Sequence, residues 1–294
     1  MVEVNLAEYN IGILKMLVEA SELIKSYKNR TWQNNIIILD ASWYLPNQNR
    51  NAFAEYKNTH IPHALYFDID KVCDIDSDLP HTVPTESQFK NNMEELGINN
   101  KSHIIIYSRD GIGTSPRAWW LCKLFGHQNV SILNGGLKAW LEIYGPDSKN
   151  MPKVTKSIYK AKQNKDLLAT HKAITDSLNS NEYQIVDARS IGRFKGIEDE
   201  PRPGLRKGHI PNSINIPFNF FIDKNGYFLK KNEIIKILEN NKFNFNKTTI
   251  PTCGSGVTAC VLGFALELIG KNNWQVYDGS WSEWGSMEEN LIEL

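Results

Sequence analysis

The sequence predicts an α/β protein made of two tandem copies of one domain, each a parallel sheet with helices on both faces. One observation is a repeat, because three motifs of the first half recur in the same order 144 to 149 positions later. The pairs are Asp40-Ala41 with Asp187-Ala188, His60-Ile61-Pro62 with His209-Ile210-Pro211, and Gly135-Gly136-Leu137-Lys138-Ala139-Trp140 with Gly279-Ser280-Trp281-Ser282-Glu283-Trp284. The other is that short β-branched runs alternate with helical stretches in both halves. We therefore expect domains at 16–145 and 167–294.

The first domain is predicted from three apolar runs and one well-marked helix. The runs predict strands at Ile36–Asp40, His103–Tyr107 and Val130–Leu133. Thr85-Glu86-Ser87-Gln88 has the spacing of a capping box, and Gly97 is placed to end the helix that this box opens. The following segment, 146–166, is rich in Pro, Lys and Ser and lacks periodicity, which predicts a linker.

The second domain repeats this order. Strands are predicted at 184–187, 248–252 and 275–278, and a helix at 257–269 is closed by Gly270. Ligands of open parallel sheets lie outside the carboxyl ends of the strands. The loop after the strand at 248–252 is therefore the first place to look for chemistry.

Composition excludes several classes of partner. The 33 Lys and Arg balance 33 Asp and Glu, so the chain lacks the one-signed excess with which proteins bind nucleic acid or an anionic membrane. The most apolar stretch, 257–269, contains Glu267 and is shorter than the roughly 18 residues of a membrane span. We expect a small-molecule partner, no nucleic acid and no membrane.

The cysteines and the amino terminus indicate a cytoplasmic protein. The four cysteines are too few and too scattered for a disulfide framework or a metal-binding pair, so we expect no metal. The first 17 residues lack the basic region and cleavage site of a signal peptide, and they carry acids where a transit peptide would be rich in Arg.

Cys253 is the candidate nucleophile. It lies in Cys253-Gly254-Ser255-Gly256-Val257-Thr258-Ala259, between a buried strand and a helix amino terminus. The helix dipole and a ring of backbone N–H groups at such a position stabilise a thiolate or a persulfide anion. Its two glycines let the backbone turn tightly enough to aim those groups inward.

Three other interpretations of this loop compete with a nucleophilic cysteine. A lone cysteine at a strand end is usually a small buried hydrophobe, which we expect for Cys73, Cys122 and Cys260 but not within a glycine loop. The loop also fits a dinucleotide fingerprint, although only 16 residues follow Asp278, too few for a second mononucleotide half. A cysteine phosphatase would need Arg where Ala259 stands.

Taken together, these residues resemble the two-domain rhodanese family of sulfurtransferases over about 16–290. The matching motifs are Asp40-Ala41-Ser42-Trp43-Tyr44-Leu45-Pro46, His60-Ile61-Pro62, Tyr66-Phe67-Asp68-Ile69-Asp70, Gly192-Arg193-Phe194-Lys195-Gly196, Glu200-Pro201-Arg202 and Asp278-Gly279-Ser280-Trp281. The resemblance implies a catalytic second domain and a first domain without a nucleophile. The counterpart loop of the first domain, 108–113, has no cysteine, and we expect Asp110 at the equivalent position.

The resemblance also implies the roles of individual residues. Cys253 carries a persulfide held by backbone N–H groups of the loop, so that Gly254, Gly256, Val257 and Thr258 join the substrate-binding set. A relay is implied in which His81, oriented by Asp70, polarises the hydroxyl of Ser255. Arg193 and Arg202 are implied to hold the substrate carboxylate and ketone, whereas we expect Arg189 to pair inside its own domain.

Loop charge favours one sulfur donor. Thiosulfate enzymes of the family resemble C-R-K-G-V-T, in which two cations meet a dianionic donor, and here Gly254 and Ser255 replace both. We therefore expect 3-mercaptopyruvate as donor and cyanide, a small thiol or a reduced thioredoxin-like protein as acceptor. No metal or organic cofactor is implied, and we expect a monomer. Two alternatives stay open: a thiosulfate:cyanide sulfurtransferase, and a non-catalytic persulfide carrier or regulatory module.

Overall fold

The computed structural model describes residues 15–29 and 35–294, and the sequence-based interpretation of the amino-terminal segment as lacking a targeting signal falls mostly outside them. The first domain is a five-stranded parallel sheet with the order β1-β5-β4-β2-β3. Its strands are β1 (Leu17–Val18), β2 (Ile36–Asp40), β3 (Leu65–Tyr66), β4 (His103–Tyr107) and β5 (Val130–Leu133). Its helices are α1 (Ala20–Lys28), α2 (Ala52–Asn58), α3 (Glu86–Glu95), α4 (Ser115–Leu124) and α5 (Gly136–Glu142).

The second domain repeats the same topology. Strands β8-β7-β9 form one parallel ladder, β10-β6 form another, and a parallel bridge from Thr249 to Trp274 joins them in the order of the first domain. The strands are β6 (Leu168–Ala169), β7 (Tyr183–Asp187), β8 (Ile214–Asn215), β9 (Thr248–Thr252) and β10 (Val276–Tyr277). The helices are α6 (His171–Ser177), α7 (Ile191–Phe194), α8 (Lys231–Asn240), α9 (Ala259–Ile269) and α10 (Ser280–Trp284). The predicted fold class is confirmed.

Most predicted element boundaries agree with the structure. Thr85 caps α3 through a capping box, and Gly270 ends α9 in a left-handed conformation at φ 87°. Helix α9 begins two residues later than predicted, because Val257 and Thr258 form a tight turn whose carbonyls accept from residues three positions on. Strand β10 is shorter than predicted, and Asp278 leaves it to bind across the domain boundary.

Segment 146–164 contains no helix or strand and runs along the first domain. His60 and Ser148 exchange backbone hydrogen bonds, and the amide of Tyr159 donates to the buried carboxylate of Glu94 at 3.0 Å. Lys162 donates to the carbonyl of Phe125 at 3.2 Å. The backbone polar groups of this segment are therefore satisfied by the first domain rather than by regular structure of its own.

The two domains share one hydrophobic core, in which α4 packs against α9. Trp119 on α4 meets Phe264 on α9 edge-to-face, with ring centroids 4.8 Å apart. These two residues occupy equivalent positions in the repeat, so the domains are related by an approximate two-fold axis. In the described part of the chain, no helix combines the length and the apolar character needed to cross a bilayer.

Candidate active site

Cys253 is the first residue after β9, and only 2% of its surface is exposed. The hydroxyl of Ser280, at the start of α10, accepts hydrogen bonds from the amides of Cys253 at 3.2 Å and Gly256 at 3.1 Å. Ser280 in turn donates to the carbonyl of Tyr277 at 2.7 Å. These contacts fix the bend of the loop around the sulfur.

The remaining loop amides have no hydrogen-bond acceptor among the described residues. Within the described residues, no acceptor is recorded for the N–H groups of Gly254, Ser255, Val257 and Thr258. The prediction that Gly256 also supplies its N–H is wrong for this conformation, because that group is bonded to Ser280. Gly256 instead provides a left-handed turn at φ 73°, where a Cβ atom would lie 2.8 Å from the carbonyl oxygen of Asp278.

The structure brings Ser255, His81 and Asp70 into one hydrogen-bonded chain. His81 Nδ1 lies 3.1 Å from Ser255 Oγ, and His81 Nε2 lies 2.9 Å from Asp70 Oδ1. A carboxylate only accepts hydrogen bonds, so Nε2 carries the proton of the neutral ring and Nδ1 accepts from the serine hydroxyl. Trp43 donates a second hydrogen bond to Asp70 Oδ1 at 2.9 Å, which fixes the carboxylate. The arrangement matches the predicted relay across 174 positions of sequence.

Burial sets the charge of the histidine. Desolvation lowers the pKa of His81; the hydrogen bond to Asp70 opposes that effect, and the charge of Arg117 reinforces it. The same hydrogen bond lowers the pKa of Asp70. At neutral pH the relay therefore holds a neutral imidazole between a hydroxyl and a carboxylate.

The backbone of His81 is held in an unusual conformation. Its φ of 60° lies in the left-handed region, where a residue with a β-carbon is strained. The carbonyl of His81 accepts a hydrogen bond from the buried guanidinium of Arg117 on α4. That contact stabilises the turn that aims the imidazole at Ser255.

Arg193 and Arg202 lie beside the loop, as the resemblance implied. Glu200 binds Arg193 through Nε at 3.1 Å and Nη2 at 2.5 Å, and a Cβ atom on Gly254 would lie 2.8 Å from that Nη2. A glycine at position 254 therefore leaves space for the guanidinium directly over the loop. The pKa of Arg202 is lowered overall, because the effect of burial exceeds the opposing effect of Cys253. No salt bridge is recorded for Arg202 in the described residues.

Arg189 has the structural role that we expected. Its guanidinium is fully buried, forms a bidentate pair with Asp187 and donates to Glu200 Oε1 at 2.7 Å. Glu200 thus bridges Arg189 and Arg193. This bridge anchors Arg193 to the buried Arg189 and Asp187 at the end of β7.

The site opens into a cavity of about 540 Å³ between the two domains. The first domain contributes Trp43, Arg109 and Asp110 to its lining, and the second contributes Arg193, Arg202 and the Cys253 loop. The volume exceeds that of a three-carbon acid.

The counterpart loop of the first domain differs from the prediction in one respect. Asp40 pairs with Tyr107 across β2 and β4, and Asp187 pairs with Thr252 across β7 and β9. This register places Ser108 at the position equivalent to Cys253. Asp110 corresponds instead to Ser255, and its exposed carboxylate pairs with Arg50. The prediction for Asp110 was wrong by two residues, because the strand pairing that fixes the equivalent position cannot be seen in the loop sequence.

Four residues of the site were missed by the sequence analysis: Trp43, Arg117, Asp278 and Ser280. Their roles depend on contacts between distant segments, which spacing alone does not reveal. The repeat contained one signal, since Ser280 replaces the equivalent Gly136 while keeping a positive φ of 51°. A residue with a side chain in a conformation that favours glycine indicates a specific task for that side chain.

Comparison with known proteins accounts for this arrangement. Residues 23–143 and 170–287 each match the rhodanese-like domain. The chain belongs to the rhodanese family. It is 38% identical over 274 residues to 3-mercaptopyruvate sulfurtransferase of Mus musculus and 37% identical over 275 residues to thiosulfate sulfurtransferase of Rattus norvegicus, with 92% of both chains covered in each comparison.

Solved structures of the rhodanese family agree with the fold. Tum1 of Saccharomyces cerevisiae superposes with a TM-score of 0.87 at 29% identity, covering 96% of this chain and 99% of its own. SseA of Escherichia coli, described as having the rhodanese fold and the mechanism of 3-mercaptopyruvate sulfotransferases, superposes with a TM-score of 0.83 at 34% identity, covering 92% and 100%. The predicted family and the predicted enzyme class, a sulfurtransferase, are confirmed.

Proposed function

We propose that the protein transfers sulfur from 3-mercaptopyruvate to a thiol or cyanide through a persulfide on Cys253, releasing pyruvate. One observation supports this donor above all: no cation belongs to the loop beside the sulfur, and the guanidinium of Arg193 lies over Gly254 instead. The donor carries a single carboxylate, two carbons away from its sulfur. A cation set back from the nucleophile matches that spacing.

In the first step, the Cys253 thiolate attacks the donor sulfur. A sulfur–sulfur bond forms while the bond between sulfur and C3 breaks, and the electron pair of that bond becomes the enolate of pyruvate. The donor's thiol proton stays on the persulfide or passes to Ser255 and His81, and the enolate takes up one proton at C3. Arg193 and Arg202 bind the carboxylate and the ketone oxygen, where negative charge accumulates in the enolate.

In the second step, an acceptor thiolate or cyanide attacks the outer sulfur of the persulfide. The sulfur–sulfur bond breaks, its electron pair returns to Cys253, and the product is an acceptor persulfide or thiocyanate. Between the steps, the free N–H groups of Gly254, Ser255, Val257 and Thr258 stabilise the persulfide anion. A thioredoxin-like protein is the macromolecular acceptor that we propose, and we propose the cytoplasm as the compartment and a monomer as the active form.

The decisive experiment is mass spectrometry of the protein after brief exposure to 3-mercaptopyruvate. We expect one added sulfur atom on Cys253 and one equivalent of pyruvate in solution. Cys253→Ser should show neither, whereas the matched variant Cys260→Ser should show both, because Cys260 is buried and its pKa is raised to about 12 by burial. Pyruvate release by Cys253→Ser would contradict the proposal.

Thiosulfate is a second candidate donor, because thiosulfate sulfurtransferases match the chain at 37% to 38% identity, as closely as the 3-mercaptopyruvate enzymes do. The persulfide product is the same for both donors. Comparing kcat/KM for the two donors in one assay separates the candidates, and we expect the 3-mercaptopyruvate value to be the higher one.

A further inference from the structure

The two sides of the approximate two-fold axis make the same contact with different chemistry. On one side, the amide of Val83 donates to Asp278 Oδ2 at 2.7 Å. On the other side, the amide of Phe228 donates to Asn134 Oδ1 at 2.9 Å. Val83 and Phe228 precede equivalent helices by the same number of residues, and Asp278 and Asn134 follow equivalent strands. The side with the nucleophile therefore carries a carboxylate where the other side carries an amide.

Arg117 is the partner of that carboxylate. Its Nη1 lies 2.7 Å from Asp278 Oδ1, and the Arg117 and Asp278 side chains are 1% and 7% exposed. The residue equivalent to Arg117 in the second domain is the buried Leu262. On one side of the axis these two positions hold the neutral residues Asn134 and Leu262. On the other side they hold the buried ion pair of Asp278 and Arg117. Buried ion pairs stabilise a fold no better than well-packed neutral groups, so stability does not explain the charges.

The contacts of Arg117 do explain them. Besides Asp278, its guanidinium donates to the carbonyl of His81 and to the carbonyl of Gly256 at 3.4 Å. One side chain from the first domain therefore contacts the backbone of the histidine turn and the backbone of the cysteine loop.

The turn that contains His81 also differs from its equivalent on the other side of the axis. His81 has a φ of 60°, and the equivalent residue on the other side is Gly226, with a φ of 89°. Gly226 adopts this conformation without strain, whereas His81 does not. The active side accepts a strained residue in order to present an imidazole, and the guanidinium bound to the His81 carbonyl holds it there.

We propose that Arg117, fixed by Asp278, is a positioning residue that sets the distance between the His81 turn and the Cys253 loop, so that the imidazole meets Ser255. The proposal rests on the proposed function for its kinetic consequence. The ion pair acts on the relay through the backbone of His81, and neither Arg117 nor Asp278 lines the cavity.

The test uses the double variant Arg117→Leu with Asp278→Asn, which installs the neutral pair of the other side and leaves no unpaired buried charge. We expect kcat with 3-mercaptopyruvate to fall about tenfold to a hundredfold, the scale of a small misplacement of catalytic groups. KM should stay within about twofold, because Arg193 and Arg202 are untouched.

A second readout follows the histidine without turnover. Asp70, Arg117 and Arg202 are the charged groups that act on His81, and Arg117 lowers the pKa of its ring. An NMR titration of His81 should therefore show a higher midpoint in the double variant than in the parent protein. The midpoint reports the loss of the Arg117 charge next to the ring, and the fall in kcat at unchanged KM reports the positioning. A purely structural role of Arg117 would leave kcat unchanged in the folded variant.

The matched control is Asn134→Ala, which removes the equivalent contact on the other side of the axis. It should lower the midpoint of thermal unfolding and leave kcat and the His81 midpoint unchanged. If the double variant does not fold, Arg117→Lys tests the same point: the charge remains, the fork is lost, and kcat should still fall. An unchanged kcat in a folded Arg117 variant would overturn the proposal. Failure of the proposed function is recognised separately, as the absence of a Cys253 persulfide in the parent protein.

Discussion

Ser255 shares its hydroxyl proton with His81, so the protonation state of this one ring decides what the serine does. The neutral ring accepts from Ser255 and donates to Asp70 at 2.9 Å, whereas the protonated ring has no lone pair for the serine. The pKa of His81 is below its ordinary value of 6.5, chiefly through burial. At neutral pH the ring is therefore neutral and can accept the hydrogen bond from Ser255.

This protonation predicts a pH dependence. Because only the neutral ring serves the relay, kcat/KM for 3-mercaptopyruvate should rise as pH increases through the pKa of His81, with a midpoint below 6.5. In Asp70→Asn, the carboxylate that raises the pKa of His81 is lost, so the midpoint should move to still lower pH and the maximal rate should fall. Initial rates across pH 4.5 to 8.5, about two units either side of an unperturbed histidine, would test this. A midpoint that moves upward in Asp70→Asn would contradict it.

At the level of single residues, sequence reasoning succeeded where a side chain acts through chemistry shared by a family. The sequence predicts Cys253, Ser255, His81, Arg193 and Arg202 as site residues. In the structure His81 lies 3.1 Å from Ser255, and the other four line one cavity. Arg117 and Asp278 were not identified, because a buried ion pair between residues 161 positions apart has no local pattern.

In the proposed function, the Cys253 loop is the element that determines the donor. Gly254 contributes in two ways. It leaves space for the Arg193 guanidinium, because a Cβ atom at this position would lie 2.8 Å from Arg193 Nη2. It also adds no charge beside the sulfur. The lack of charge follows from the loop sequence of the family. The space for Arg193 is seen only in the structure, because Arg193 reaches the loop from α7.

Gly254→Arg separates donors by changing this loop. The new cation should favour the thiosulfate dianion, while the new side chain displaces Arg193 from the carboxylate site, so the ratio of kcat/KM for 3-mercaptopyruvate to that for thiosulfate should fall by about tenfold or more, a difference of about 1.4 kcal/mol in transition-state binding. Gly254→Ala is the matched control, because it adds the Cβ without the charge. If both variants change the ratio equally, displacement of Arg193 explains the effect and the charge argument fails.

Strand positions at the element level followed well from sequence, since β-branched runs in a sheet buried on both faces are unambiguous. The three main strands of the first domain have the predicted bounds. The start of α9 and the counterpart of Cys253 were misplaced, because loop conformation and strand register depend on pairing partners that periodicity does not encode.

At the scale of the whole molecule, the active site is divided between two domains that share a core. Asp70 and His81 of the relay lie in the first domain, and Ser255 lies with Cys253 in the second, so the site exists only while the domains are docked. One apolar contact between the domains is Trp119 against Phe264, within the cluster that spans both domains. Trp140 is buried to the same extent, but it belongs to a cluster inside the first domain.

These two tryptophans allow docking to be separated from folding. Trp119→Ala and Trp140→Ala should each lower the free energy of unfolding by about 3–5 kcal/mol, the usual cost of deleting a buried indole. In Trp119→Ala, activity should be lost at a lower denaturant concentration than helical circular dichroism, because the domains separate before they unfold. In Trp140→Ala, both signals should be lost together, because the first domain itself is weakened. Coincident loss of activity and helicity in Trp119→Ala would contradict this prediction, since the domains would then unfold without separating first.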